Sequence, residues 1–151
     1  MSNLNPDQVR FIDDLSALLT AWSMPANAAR LYGYLQLMND PVGLDDIARD
    51  LEISKSNACT AAKVLETHGN ARRVTERGTK RVLYVAGDDP GAPLRKQAEN
   101  LGRMARLIAA RKSVVATGAA EQRLARLSAF HGDLQCAMEA VILPRDRRGA
   151  A

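Results

Sequence analysis

The chain of 151 residues is 46% hydrophobic and 25% charged, a balance typical of an ordinary globular protein with one domain or one domain and an extension. Aromatic residues make up only 4%, which argues against a surface that stacks single-stranded nucleic acid. The net charge of +4 is unevenly distributed, because residues 1–53 carry −5 and residues 54–151 carry +9. This polarity suggests an anionic partner for the second part of the chain.

Several classes of protein are disfavoured by what the sequence lacks. Cys59 and Cys136 are too few for a disulfide framework or a zinc site, and no glycine-rich phosphate loop, HExxH, CxxC or GxSxG motif indicates an enzyme. The first residues lack the apolar segment of a secretory signal, and no apolar run approaches the roughly 20 residues of a membrane span. We therefore expect a cytoplasmic protein that is not an enzyme, with no metal, no cofactor and no membrane partner.

Three helices are predicted before residue 54. The first carries apolar residues three or four apart and ends near Met24-Pro25. The second ends at the breaker cluster Asn39-Asp40-Pro41. The third, over 44–51, has acidic residues in its first turn, which suits the helix dipole. The apolar positions of the first helix are Val9, Ile12, Leu15, Leu19 and Trp22.

A fourth helix and a hairpin follow. Ser54 is a good N-cap, and Gly69 is a good residue to follow the end of the helix at His68. Its inward positions are small or apolar, and the period then changes to two, which predicts strands over 73–75 and 81–85 around a basic turn. Helix, tight turn, helix and hairpin together are the order of a winged helix-turn-helix, whose second helix enters a major groove about 12 Å wide.

The outward face of the fourth helix has the chemistry of groove recognition. Asparagine can bond adenine bidentately, serine and threonine are adaptable, and lysine reads guanine or phosphate. Residues 54–82 hold 7 basic and 2 acidic side chains, which favours phosphate binding. The predicted DNA contacts are Ser54, Lys55, Ser56, Asn57, Thr60 and Lys63 on the helix, and Arg73, Arg77, Lys80 and Arg81 on the wing.

Beyond Pro93 the sequence predicts two long helices joined near Thr117-Gly118, the second ending at Pro144. The last helix has a stripe of large apolar residues and a second stripe of small ones, so it must be covered on both sides. A symmetric dimer through residues 93–143, helped by residues 6–24, would cover it. The alternative is a monomeric helical hairpin. The predicted interface residues are Leu94, Leu101, Ile108, Leu124, Leu127, Ala129, Gly132, Leu134, Cys136 and Met138.

Residues 25–89 resemble the winged-helix core of MarR-like regulators, and most closely the branch named for GbsR, the regulator of glycine betaine synthesis. The segments that carry the resemblance are AARLYGYL, the S-K-S-N helix start and the ending Y-x-A-G-D-D. The resemblance implies a dimeric DNA-binding repressor or activator, often with a ligand cleft near the dimer interface. Two departures stand out: Glu52 occupies a turn position where many such units have glycine, and Asn70-Ala71 begins the hairpin where a larger apolar pair is usual.

The predicted architecture is therefore mainly helical with a small β-hairpin wing. It comprises an N-terminal dimerisation helix (1–24), the winged helix-turn-helix (25–89), a helical dimerisation region (90–143) and a disordered basic tail (144–151). The predicted function is sequence-specific binding of double-stranded DNA as a homodimer on an inverted-repeat operator, to regulate transcription. The alternatives are a protein-binding winged helix and a redox-responsive regulator that uses Cys59 or Cys136. Control by a small-molecule effector, with Trp22, Tyr32 and Tyr34 lining its pocket or simply filling the core, stays open.

Overall fold

A computed structural model describes residues 2–146 of the chain, with side-chain surroundings as far as residue 142. These residues divide into two compact units, with the division between Asp88 and Asp89. The first unit contains four helices and three strands: α1 (Pro6–Ala21), α2 (Ala26–Leu37), β1 (Val42–Gly43), α3 (Leu44–Leu51), α4 (Lys55–Thr67), β2 (Ala71–Thr75) and β3 (Val82–Ala86). The second unit contains α5 (Ala92–Val115) and α6 (Gly118–Asp146).

Helix α1 begins with a capping box, in which Asn5 and Gln8 exchange side-chain and backbone hydrogen bonds at 2.9 Å. Ile12 is buried and joins the core, as predicted. The prediction for Trp22 is wrong, because this residue caps the helix with its side chain 83% exposed. The chain turns away at Ser23, which has a φ of 68°, so the indole does not continue the inward stripe of α1.

The core of the first unit lies where α2 meets α1, α3, α4 and the sheet. Its largest fully buried side chains are contributed by all four helices. Helix α1 approaches α2 closely at Gly33, where an added Cβ would lie 3.4 Å from the Ile12 Cα. The fully buried large residues are Ile12, Leu31, Tyr34, Leu35, Ile47, Leu51 and Leu65.

Helices α3 and α4 form the predicted helix-turn-helix. The turn between them depends on Glu52, which adopts the left-handed conformation with φ 55° and ψ 42°. Ser54 caps α4 by accepting a hydrogen bond from the Asn57 backbone N–H at 3.0 Å. After α4, Gly69 takes a φ of 77°, the conformation that ends many helices and that glycine adopts without strain. The predicted cap residues at both ends of α4 are confirmed.

The sheet has three antiparallel strands in the order β1-β3-β2. In the hairpin, Arg73 pairs with Tyr84 and Ala71 with Ala86. The base of the hairpin is closed by the Gly87 N–H, which donates to the Asn70 carbonyl at 3.0 Å. Ala71 is buried, so the small pair Asn70-Ala71 anchors the wing through its backbone and one methyl group. Strand β1 was not predicted, because two residues are too few to show a period.

The second unit is an antiparallel helical hairpin. The Ser128 hydroxyl donates to the Ala105 carbonyl at 2.8 Å, and Gly102 lies against the side chain of Gln135. Helix α6 extends to Asp146, two residues beyond the predicted end at Pro144. The rest of the predicted tail, 147–151, lies outside the described residues.

The fold class is as predicted: a mainly helical winged helix with a small antiparallel sheet and long flanking helices. Within residues 2–146, none of the helices combines the length and the hydropathy that crossing a bilayer requires.

Candidate nucleic-acid interface

Helix α4 separates its residues sharply between a buried and an exposed face. Ala58, Ala61, Ala62 and Leu65 are buried in the core of the first unit. The small size of the three alanines allows α3 to pack close to α4. The opposite face is exposed and polar, and it carries the residues predicted from the sequence: Lys55, Ser56, Asn57, Thr60 and Lys63. A helix of this kind can lie in a groove without exposing its apolar side.

Two of the predicted contact residues are already engaged within the chain. The Ser54 hydroxyl is used as the cap of α4. The Lys55 ammonium lies 2.9 Å from the Asp45 carboxylate of α3. The hydrogen bond from Lys55 holds the pKa of Asp45 below its ordinary value. By contrast, the side chains of Ser56, Asn57, Thr60 and Lys63 have no hydrogen-bond or ionic partner in the part of the chain that the structure describes.

The wing presents its cations at a tight turn. The Thr79 N–H donates to the Glu76 carbonyl at 3.2 Å, and Gly78 has a φ of 86°, which glycine adopts readily. The side chains of Arg77 and Lys80 in this turn are exposed, and neither has a polar partner among the described residues. The tip of the wing therefore offers two cations to an anionic ligand.

The other two predicted wing residues lie nearer the body of the unit. The Arg73 guanidinium is 4.0 Å from Glu66 on α4. Arg81 extends over Gly43 and reaches Asp46 of α3 at 3.4 Å. An added Cβ on Gly43 would lie only 3.0 Å from the Arg81 guanidinium nitrogen, so a side chain at residue 43 would require Arg81 to shift from this position. Arg81 thus fastens the base of the wing to the helix-turn-helix.

The buried carboxylate of Asp50 is connected to this arrangement through Arg49. Asp50 is 7% exposed and accepts hydrogen bonds from the Asn3 N–H at 3.1 Å, the Tyr34 hydroxyl at 2.8 Å and the Arg49 guanidinium at 3.0 Å. Burial alone would raise the pKa of Asp50, but these three donors outweigh it and lower the pKa. Burial and the bond to Asp50 raise the pKa of Tyr34. Arg49 also contacts Asp46 at 2.9 Å, which links Asp50 to the Arg81 contact.

The three aromatic residues considered for an effector pocket do not lie together. Tyr34 is in the core, Tyr32 packs at the edge of the core, and Trp22 is exposed. A cleft of about 470 Å³ lies beside Tyr34, Arg49 and Asp50, but neither Trp22 nor Tyr32 lines it. The core interpretation therefore holds for two of the three residues. Cys59 on α4 is half-buried and Cys136 on α6 is exposed, both as free thiols.

The hairpin of the second unit has an inner face and a separate apolar patch. The inner face of α6 includes Leu124, Ser128, Gln135 and Ile142. About 105° around the helix from this face, at 3.6 residues per turn, runs a stripe of large exposed residues, and the exposed apolar residues of α5 are displaced from its inner face in the same sense. In an antiparallel pair, displacements in the same sense bring both stripes toward one side of the hairpin. The patch consists of Met104, Leu107, Leu127, Phe130, Leu134 and Val141.

The structure divides the predicted interface residues between these two faces. Leu127, Ala129, Leu134 and Cys136 of α6 and Leu94 of α5 are exposed, whereas Leu101, Ile108, Leu124, Gly132 and Met138 are half-buried. Gly132 faces the same chain, because a Cβ added there would lie 4.0 Å from the Ala105 Cβ. Phe130, which is not among the predicted interface residues, is 62% exposed in the same stripe. Its spacing of three from Leu127 and four from Leu134 was the signal that could have identified it.

Comparisons with known proteins were made by sequence and by structure. No family model matches the sequence, and no curated protein matches it. Among solved structures, the chain is similar to one described as the crystal structure of a transcriptional regulator, with a TM-score of 0.77 and 18% sequence identity. The alignment covers 94% of this chain and 99% of that one. At this identity the similarity establishes the fold.

Proposed function

We propose that this chain is a transcriptional regulator of the MarR-like type that binds double-stranded DNA sequence-specifically. The observation that carries the proposal is the exposed face of α4, where Ser56, Asn57, Thr60 and Lys63 stand without partners among the described residues above a buried apolar face. The similar structure is described as that of a transcriptional regulator, which agrees with this use of the fold. The resemblance of residues 25–89 to the GbsR-like branch supports the same class.

In the proposed complex, the contacts of α4 and of the wing have different tasks. Asn57 lies in the first turn of α4, where residues of a recognition helix meet base edges. Arg77 and Lys80 extend from the wing turn, where a cation neutralises phosphate and carries no sequence information. Asn57 therefore contributes specificity, whereas Lys80 contributes affinity for any duplex.

Selection of bound duplexes from a random pool, followed by salt titration on the selected site, tests this division. Asn57→Ala should cost about 1–3 kcal/mol at one base pair per half-site and leave random DNA unaffected. Lys80→Ala should weaken every duplex alike and reduce the salt slope by about 0.9. Gln36→Ala, an exposed amide on α2, is the matched control. If the wild type enriches no sequence and shows little salt dependence, the chain is instead a protein-binding winged helix.

The apolar patch of the second unit supports a homodimer. Helix α6 has apolar residues such as Leu124 and Ile142 on the side that faces α5, and it also has the exposed apolar stripe of Leu127, Phe130, Leu134 and Val141. A helix that is apolar on more than one side is normally covered on each, and contiguous exposed patches of this kind mark interaction sites. A second copy of the hairpin, related by a two-fold axis, would present the same stripe to it.

Two matched substitutions on α6 test the dimer. Phe130→Glu places a charge in the patch, so sedimentation should show a shift to monomer and operator binding should weaken. Gln122→Glu adds the same charge at an exposed position on another side of α6 and should leave the dimer intact. Gly132→Leu is unsuitable for this purpose, because Gly132 faces Ala105 of the same chain. A dimer that survives Phe130→Glu unchanged would remove the patch from the interface.

A rigid two-fold dimer also constrains the operator. Both copies of α4 can enter major grooves on one side of the duplex only if the half-sites are separated by about 10–10.5 base pairs or a multiple of that. Inserting five base pairs between the half-sites would turn one of them to the far side of the duplex. Affinity should then fall toward the level of random DNA. Unchanged affinity would contradict binding as a rigid dimer.

A further inference from the structure

The first turn of α3 places two carboxylates against two cations of the proposed DNA-binding surface. Asp45 lies 2.9 Å from the Lys55 ammonium, and Asp46 lies 3.4 Å from the Arg81 guanidinium. The two pairs differ in their surroundings. Asp46 also contacts Arg49 at 2.9 Å, and Arg81 packs over Gly43, so this pair is part of the framework of the wing. Asp45 forms its ion pair with Lys55, and the charge of Arg81 acts on the same carboxylate from further away.

The Lys55–Asp45 pair is open to solvent and therefore easily exchanged. The two side chains are 64% and 76% exposed, and ion pairs at such positions are weak because water and salt screen them. A DNA phosphate near α4 can thus replace Asp45 as the partner of Lys55. In the free protein, however, the ammonium is occupied, whereas the cations of Lys63, Arg77 and Lys80 have no such partner in the described part of the chain.

The position of Lys55 decides when that exchange can occur. Lys55 is the first residue of α4, two residues before Asn57. In a recognition helix the N-terminal residues approach the duplex only when the helix is seated in the major groove. On random DNA, binding rests on phosphate contacts made without base readout, and the unpartnered cations of the wing tip can make such contacts.

We propose that Asp45 is a specificity-determining residue, which keeps Lys55 from phosphate on random DNA and releases it when the base contacts seat α4 on the operator. The proposal rests on the DNA-binding function proposed above. It assigns to Asp45 no contact with DNA, since a carboxylate next to phosphate is repelled. Its effect is to withhold one cation from complexes that lack base contacts, and so to raise the ratio of operator binding to random binding.

Salt titrations of Asp45→Asn on the selected operator and on a scrambled duplex test the proposal. The substitution frees Lys55, so the scrambled duplex should gain one phosphate contact and its salt slope should steepen by about 0.9, or about eightfold in affinity for each tenfold dilution of salt. The operator slope should stay unchanged, because Lys55 already contacts phosphate there. Asp14→Asn is the control, since Asp14 is an exposed carboxylate of α1 without an ionic partner among the described residues.

A second background separates occupation of Lys55 from general repulsion of DNA. In a Lys55→Ala protein, Asp45→Asn should have a much smaller effect on the scrambled duplex, because only the general repulsion between the Asp45 carboxylate and phosphate is then removed. An equal gain in that background, or equal gains on operator and scrambled DNA in the Lys55 protein, would overturn the proposal. If the wild type reads an operator and Asp45→Asn changes nothing, the role of Asp45 alone is refuted. A wild type that enriches no sequence refutes the DNA-binding function, and this proposal with it.

Discussion

Glu52 holds the turn of the helix-turn-helix in a conformation that suits glycine better. With φ 55° and ψ 42°, its Cβ is crowded against its own backbone, at a cost of about 1–2 kcal/mol. Glycine at this position would remove that cost, but it would also increase the freedom of the unfolded chain by about 0.4–1 kcal/mol. The difference predicts that Glu52→Gly stabilises the protein by about 0.5–1 kcal/mol.

Urea denaturation measures this gain. With a slope of about 2 kcal/mol per molar urea, the midpoint should rise by about 0.3–0.5 M. Glu52→Ala keeps the Cβ and removes the rest of the side chain, which is exposed and has no polar partner in the described chain. It should therefore show no gain.

A second position in the same unit provides an independent check. Ser23 has a φ of 68° and is the other non-glycine residue with positive φ in the described chain, so Ser23→Gly should give a gain of similar size. Operator affinity should be unchanged in Glu52→Gly, because the turn keeps its conformation. If Glu52→Gly is no more stable than Glu52→Ala, the backbone strain assigned to this turn does not exist.

Three further predictions concern buried contacts. The lowered pKa of Asp50 means that its ionised form stabilises the fold above the ordinary carboxyl pKa of about 3.9, and that this contribution is lost as pH falls through the lowered pKa. Asp50→Asn should therefore weaken the dependence of the urea midpoint on pH between pH 6 and 3. It should also lower the free energy of unfolding at pH 7 by about 1–3 kcal/mol. An unchanged pH profile would contradict this prediction. Tyr34→Phe removes one donor to Asp50 and should lower the free energy of unfolding at pH 7 by about 1.5–3 kcal/mol in the same measurement. An unchanged free energy of unfolding would contradict the contribution of this hydrogen bond. Gly102→Ala should raise the thermal midpoint slightly, because glycine inside a helix costs about 0.5–1 kcal/mol relative to alanine and the new methyl group would meet only the flexible end of the Gln135 side chain. A lowered midpoint would show that the Gln135 side chain cannot move aside.

The elements that could be predicted from the sequence are those with local signals. The period of α4, the capping serine and the glycine after His68 are all encoded within a few residues, and all three predictions are confirmed. Elements without a local signal were missed. Strand β1 has two residues and exists because β3 offers it a partner, which only tertiary structure reveals.

The candidate site shows a similar limit: the types and positions of its residues could be predicted, but the contacts that they make could not. Residue type and helical face were sufficient to place Lys55, Asn57 and Thr60 on the exposed side of α4. Sequence could not show that Lys55 is paired with Asp45, because the two residues lie ten positions apart on different helices. Similarly, period alone does not say which of two apolar stripes on α6 faces its own hairpin: Gly132 faces Ala105 of the same chain, whereas Phe130 is exposed.

The close packing of Arg81 over Gly43 has an evolutionary consequence. A methyl group at residue 43 would require the guanidinium to move by a few tenths of an ångström, and the end of a flexible side chain can do so without unfolding the protein. Gly43→Ala would thus redirect a wing cation while the charge of the protein and every proposed DNA contact residue stay the same. Positions 43 and 81 should consequently covary, since a shorter residue at 81 relaxes the demand for glycine at 43. A mutation in β1 can in this way change the position of a proposed DNA contact without changing any of the proposed contact residues.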